Sequence, residues 1–99
     1  MRPVRSFVRR AGRMTAGQRQ ALELGWARRG LDSADGMIDP AAVFGRVAPT
    51  IVEVGFGMGA SLAEMAQAQP GTDYIGIEVH EPGVGKLLWL CEQQGIDNV

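Results

Sequence analysis

The stretch Glu53-Val54-Gly55-Phe56-Gly57-Met58-Gly59 constrains what this 99-residue chain can fold into more than any other feature. It follows the β-rich run Thr50-Ile51-Val52 and precedes a helical pattern. Glycines at the end of a strand let the backbone turn sharply and approach a ligand where a Cβ would clash. About 20 residues further on, the spacing seen in nucleotide-binding folds, a second strand-like run ends in another acid: Tyr74-Ile75-Gly76-Ile77-Glu78. Parallel pairing of the two runs would set Glu78 beside the glycine turn, within reach of the two hydroxyls of a ribose. The two features together read as the adenosyl half of a cofactor site.

The identity of the cofactor turns on Glu53. Gly55-x-Gly57-x-x-Ala60 also satisfies the dinucleotide fingerprint G-x-G-x-x-G/A, so NAD is an alternative. A carboxylate two residues before the first glycine would repel a pyrophosphate. S-adenosylmethionine carries no phosphate, only a cationic sulfonium and an ammonium, which a nearby acid favours. The sequence therefore favours S-adenosylmethionine, with Glu53, Gly55, Gly57, Gly59 and Glu78 as cofactor-binding residues.

Around this loop the pattern alternates strand and helix. Thr15 with Gln18 forms a capping box for a helix over 16–29, with Ala21, Leu22 and Trp26 on its apolar face. Arg28 and Arg29 sit at the favourable end of that helix's dipole, and Gly30 stops it. Gly17 and Gly25 weaken the helix, so tertiary contacts are expected to support it. Pro40 opens a short helical turn. A strand over 50–54, a helix near 59–68 burying Leu62, Met65 and Ala66, a strand over 73–78 and a helix over about 83–94 follow, the last stopped by Gly95.

The expected fold class is α/β, a right-handed Rossmann-like βαβ unit preceded by a basic helical arm. Residues 1–47 are the arm and helix; residues 48–99 are the amino-terminal part of the S-adenosylmethionine-binding domain. A doubly wound sheet needs further strands, and Ile96-Asp97-Asn98-Val99 is the possible start of a third. We therefore expect a longer parent protein, its fold truncated here after the second βα unit.

A net charge of −1 conceals a strong asymmetry. Residues 1–29 hold eight arginines and one acid, Glu23, whereas residues 30–99 hold two basic residues and ten acids. The split suggests a basic arm for a polyanion on an acidic body, since the planar guanidinium fork bonds two phosphate oxygens at once. Arg5, Arg9, Arg10 and Arg13 are the candidate contacts for such a polyanion, which the family resemblance given below implies is RNA. A solvated basic face and an organellar transit peptide are the competing readings. No apolar run is long enough for a secretory signal or a membrane span, and a cytoplasmic protein is expected.

Other chemistry finds little support. Gly83-Val84-Gly85-Lys86 fails as a phosphate loop, because the required first glycine would be His80 and the closing hydroxyl residue would be Leu87. Pro82 and Gly83 more simply shape the entry into the last helix. His80 is the single histidine and reads as structural, with substrate contact and general base as the alternatives. Cys91 reads as a buried, inert thiol, and no metal is expected because no ligand spacing exists.

Three blocks in order carry a family resemblance: Arg5-Ser6-Phe7-Val8-Arg9-Arg10 with Gly12-Arg13-Met14-Thr15 and Gln18; Val52 through Gly59; and Gly76 through His80 with Pro82-Gly83-Val84-Gly85. The sequence resembles the amino-terminal portion of bacterial tRNA (guanine-N7-)-methyltransferases. A basic position that often follows the family's Met-Thr pair is Ala16 here. The resemblance implies S-adenosylmethionine as cofactor, held by Glu53, Glu78 and the glycine loop. It implies tRNA as partner, its phosphates meeting the arginine arm, and methyl transfer to guanine N7. It also implies that the catalytic aspartate and the carboxyl-terminal tRNA contacts lie downstream of Val99, so residues 1–99 alone would be inactive. A small-molecule methyltransferase and a non-catalytic RNA-binding segment are the alternatives.

Overall fold

A computed structural model describes residues 15–32 and 36–99. Arg5, Arg9, Arg10 and Arg13 lie outside the described residues. The elements run α1 (Ala16–Arg29), α2 (Pro40–Phe44), β1 (Thr50–Val54), α3 (Ala60–Ala68), β2 (Asp73–Ile77) and α4 (Glu81–Gln94). β1 and β2 pair in parallel, from Thr50 opposite Asp73 to Val54 opposite Ile77, with α3 as the crossover. The result is a small α/β fold built on one βαβ unit.

Local chemistry sets most boundaries. Gln18 N–H donates to Thr15 Oγ1 at 3.0 Å and Thr15 N–H to Gln18 Oε1 at 2.9 Å, closing the capping box of α1. Asp39 caps α2 by accepting from Ala41 N–H at 3.2 Å. α4 begins at Glu81, two residues before the expected start, because Pro82 fits the first turn, where its missing N–H costs nothing. Gly30 does stop α1, but with an extended φ of −71°. Glycine is required there for space: a methyl group would lie 2.2 Å from the Trp26 ring.

The core sits where α3, β2 and α4 meet: Leu62, Ala63, Ala66, Tyr74, Leu87, Cys91 and Ile96, with Phe56, Leu90 and Val99 against them. Met65 was expected inside and is exposed instead. The buried stripe of α3 follows 62, 63 and 66, which turns Met65 outward. α1 packs along α4. Gly25 is buried there, and a methyl group on it would lie 2.7 Å from Leu88 Cβ, so close helix approach offsets the poor helix propensity of glycine. At the far end of this seam Arg28 and Arg29 both hold Glu92, Arg28 at 2.8 Å, and Arg29 Nη2 donates to the Ile96 carbonyl at 2.8 Å. Hydrogen bonds from Arg29 and then Arg28 hold the Glu92 carboxyl below its ordinary range.

Two polar side chains tie distant segments together. Arg46 donates from Nε and Nη2 to the buried Asp73, at 2.6 Å for Nη2, and also to the Pro70 carbonyl at 2.6 Å. Asn98 Nδ2 faces three carbonyls: Thr72 at 2.7 Å, Ala66 at 2.9 Å and Gln69 at 3.1 Å. Asn98 also accepts the Tyr74 N–H at 2.7 Å. Since Asp73 N–H points to β1, accepted by Pro49, Tyr74 N–H points to the opposite edge of β2. Residues 96–99 therefore lie where a third strand would, without forming one among the described residues.

Candidate functional site

The strand-to-helix turn is built from alternating left-handed glycines. Gly55, Gly57 and Gly59 have φ of 76°, 66° and 85°, values that side-chain-bearing residues rarely adopt. Gly55 N–H donates to the Ile77 carbonyl at 2.7 Å, extending the strand pairing by one bond, and Gly59 N–H closes back onto the Phe56 carbonyl at 3.1 Å. Gly55 and Gly57 have open space where a Cβ would stand, so backbone conformation alone requires glycine at these two positions. Gly59 differs: a methyl group would meet Leu87 Cβ at 2.6 Å, so this residue also lets α4 close on the start of α3.

Glu78, just past β2, reaches the loop as expected. Its Oε1 accepts the Gly57 N–H at 2.7 Å, while Oε2 accepts from Val79 N–H at 3.1 Å and His80 N–H at 3.0 Å. A carboxylate offers about four acceptor sites. Three are occupied by these amides, so the two-handed ribose grip anticipated from the sequence has one site, on Oε1, free of backbone. Glu53 stands opposite Gly76 in the register, half-buried, and has no hydrogen-bond or ion-pair partner among the described residues.

An open cleft of roughly 570 Å³ adjoins this corner, lined by Trp26, Phe56, Gly76, Glu78, Val84 and Leu87 among others. Its size lies within the range of small-molecule sites, and its walls are mostly apolar, with charges contributed by Glu78, Asp97, Arg28 and Arg29. Of the two predicted acids only Glu78 lines it, and Gly55, Gly57 and Gly59 do not. His80 is exposed at the N-cap of α4 and makes no side-chain cap. Cys91 is fully buried in the core, and burial pushes its thiol up to about 11, in keeping with an inert role. Among the described residues no group of three or more His, Cys, Asp or Glu could hold a metal ion, and no helix is long and apolar enough to cross a membrane.

One neighbour of the loop escaped the sequence reading. Gly83, in the first turn of α4, is buried directly against the Gly57 carbonyl; a methyl group there would lie 1.9 Å from that oxygen. The Pro82-Gly83-Val84-Gly85 run was noticeable, but nothing local says which surface it meets.

Fold and loop define the class: an α/β protein with a glycine turn after its first strand, joined by hydrogen bond to the acid that ends its second. Within that class the chain belongs to a methyltransferase family, since residues 47–99 match the family model described as "Putative methyltransferase". It is also similar to three curated proteins, each named tRNA (guanine-N(7)-)-methyltransferase. The relative from Alcanivorax borkumensis is 61% identical over 99 residues, covering 100% of this chain and 41% of the relative. That from Methylococcus capsulatus is 59% identical over 98 residues, covering 99% and 42%. The Marinobacter nauticus protein is 57% identical over 98 residues, covering 99% and 41%. The chain thus spans about 41% of the length of such relatives.

Proposed function

We propose that the whole protein is an S-adenosylmethionine-dependent tRNA (guanine-N7-)-methyltransferase, and that this segment supplies much of its cofactor site in a Rossmann-like domain. The observation that carries the reading is the similarity itself: relatives of that name match essentially every residue of the chain at 57–61% identity. The geometry supports the cofactor assignment. Open space beside Gly55 and Gly57, a mostly apolar cleft and the free acceptor site of Glu78 fit an adenosyl group.

S-adenosylmethionine would supply a methyl group on a sulfonium: the guanine N7 lone pair would form the new N–C bond as the S–C bond breaks, leaving a neutral thioether, and no base is needed because N7 carries no proton. The residues of this chain then have three tasks. Glu78 accepts a sugar hydroxyl on Oε1, Phe56 and Val84 shield the apolar ring from water, and Glu53 contributes negative potential near the cationic end. Arg5, Arg9, Arg10 and Arg13 meet tRNA phosphates, positioning the nucleic acid without reading its bases. Rate acceleration comes mainly from alignment of the two reactants. A cytoplasmic location accompanies the tRNA substrate.

The test is transfer of a labelled methyl group from S-adenosylmethionine to unmodified tRNA, by the full-length protein and the 99-residue segment in parallel, with digestion to nucleosides. 7-Methylguanosine from the full-length protein alone is the expected result. Labelling of neither sample refutes the tRNA assignment and turns attention to small-molecule acceptors. Activity in the segment refutes the inference that essential groups lie outside it.

A further inference from the structure

We infer that Gly83 is a positioning residue for the cofactor loop: with Glu78 it clamps Gly57 from both sides, and the clamp holds the loop in its binding shape before any ligand arrives. The inference rests on the cofactor reading above. On one side Gly57 N–H donates to Glu78 Oε1 at 2.7 Å. On the other, the Gly57 carbonyl lies against the bare Cα of Gly83, where a methyl group would stand 1.9 Å from the oxygen and 2.9 Å from its carbon. An ordinary carbon-to-oxygen contact is about 3.3 Å or more, so a Cβ at Gly83 requires a retreat of about 1.4 Å.

The loop is the partner that yields. Gly83, Val84, Leu87 and Leu88 of α4 are buried, and Glu78 Oε2 also accepts from Val79 and His80, the two residues leading into that helix. Gly57 and Met58, in contrast, are exposed. With Glu78 already at 2.7 Å on the other side of Gly57, a displacement of that size distorts or breaks the Gly57–Glu78 hydrogen bond. One glycine in α4 thereby controls both the loop and the carboxylate expected to meet the ribose. Gly85, two residues on, is a built-in contrast. A methyl group there meets the Gln18 carbonyl at 3.6 Å and Leu22 Cβ at 3.7 Å, ordinary contacts made with α1 and not with the loop.

The experiment compares Gly83→Ala and Gly85→Ala in the full-length protein. Amide hydrogen exchange is read without ligand, and S-adenosylmethionine affinity and kinetics are read separately. Gly83→Ala is expected to speed exchange at Gly57 at least tenfold, to weaken S-adenosylmethionine binding at least tenfold and to leave the KM for tRNA unchanged. Gly85→Ala is expected to change none of these. Unchanged exchange at Gly57 in Gly83→Ala overturns the inference, as does faster exchange with unaltered cofactor affinity. If Gly83→Ala does not fold, Glu78→Ala carries the test from the other side of the clamp, and normal Gly57 exchange in that variant overturns the inference. An unaltered protein that binds no S-adenosylmethionine instead refutes the cofactor reading; the exchange data then decide only whether Gly83 shapes the loop.

Discussion

Replacing Asn98 should reveal how much of this fold depends on one amide group. Asn98 is 8% exposed, and its Nδ2 faces the carbonyls of Ala66, Gln69 and Thr72. Two N–H groups serve three acceptors, so one proton is shared. Two of these carbonyls lie at the end of α3, where no intrahelical donor remains. In Asn98→Ala the buried Ala66 carbonyl loses its partner at a cost of about 1–3 kcal/mol, while the part-buried pair, reachable by water, adds about 0.5–1 kcal/mol. The expected loss is about 1.5–4 kcal/mol, measured by equilibrium urea unfolding of the full-length protein. Asn98→Asp is the sharper test, because the shape is kept while donors become a negative charge aimed at three carbonyl oxygens. At pH 7 it should cost more than Asn98→Ala, on the order of 4 kcal/mol. The surrounding carbonyls raise the introduced carboxyl above the usual value near 4. Stability is therefore retained below that value, where the group is a protonated donor, and lost as the pH rises through its raised folded value. Exchange at the Tyr74 amide, which donates to the Asn98 carbonyl, reports the same loosening locally. Asn98→Asp as stable as Asn98→Ala at pH 7, with no recovery in acid, would refute this account.

Further outcomes follow from the other contacts. Glu78→Ala in the full-length protein should weaken S-adenosylmethionine binding by on the order of 1.5–3 kcal/mol, the value of a hydrogen bond to a charged group. Titration calorimetry checks this, and unchanged affinity in a folded variant removes Glu78 from the site. Arg46→Ala should destabilise more than Asp73→Ala, because it strands a carboxylate that is 1% exposed, whereas the reverse change leaves a guanidinium open to water. Thermal unfolding of both and of the double variant, expected to recover part of the loss, tests that order. Cys91 should resist thiol reagents at pH 8 in the folded protein and label only after urea unfolding. Its thiol is held neutral, pushed up to about 11 from an ordinary 9.0, mainly by burial. This contribution is full below pH 9 and is lost as the pH rises toward 11, so unfolding titrated over that window should show falling stability.

Short-range information was legible in the residues. The capping box at Thr15, the stop signals at Gly30 and Gly95, the strand runs and the glycine turn each depend on neighbours within a few positions, and α1, α2, α3 and both strands formed where the pattern placed them, to within a residue or two. The pairing of the glycine loop with Glu78 was also readable, because parallel strands joined by a crossover helix bring their carboxyl ends together over a known spacing. The buried face of α3 was harder to read. Leucine, methionine and alanine all suit a helix interior, and which of Ala63 and Met65 turned inward depended on the direction from which β2 and α4 approached.

The sequence by itself determined the elements, their order and the acid-and-glycine corner, since backbone conformation and hydrophobic period are local properties. Only the tertiary structure decided what those elements touch. Asn98 meets Thr72 across 26 residues, Arg46 meets Asp73 across 27, and Gly83 faces the Gly57 carbonyl with no room for a Cβ between them. No local propensity encodes such pairs, because an asparagine near a chain's end or a glycine inside a helix is unremarkable until packing brings it to its partner. Steric exclusion and the need to satisfy buried polar groups act through space, and space is set only once the chain has folded.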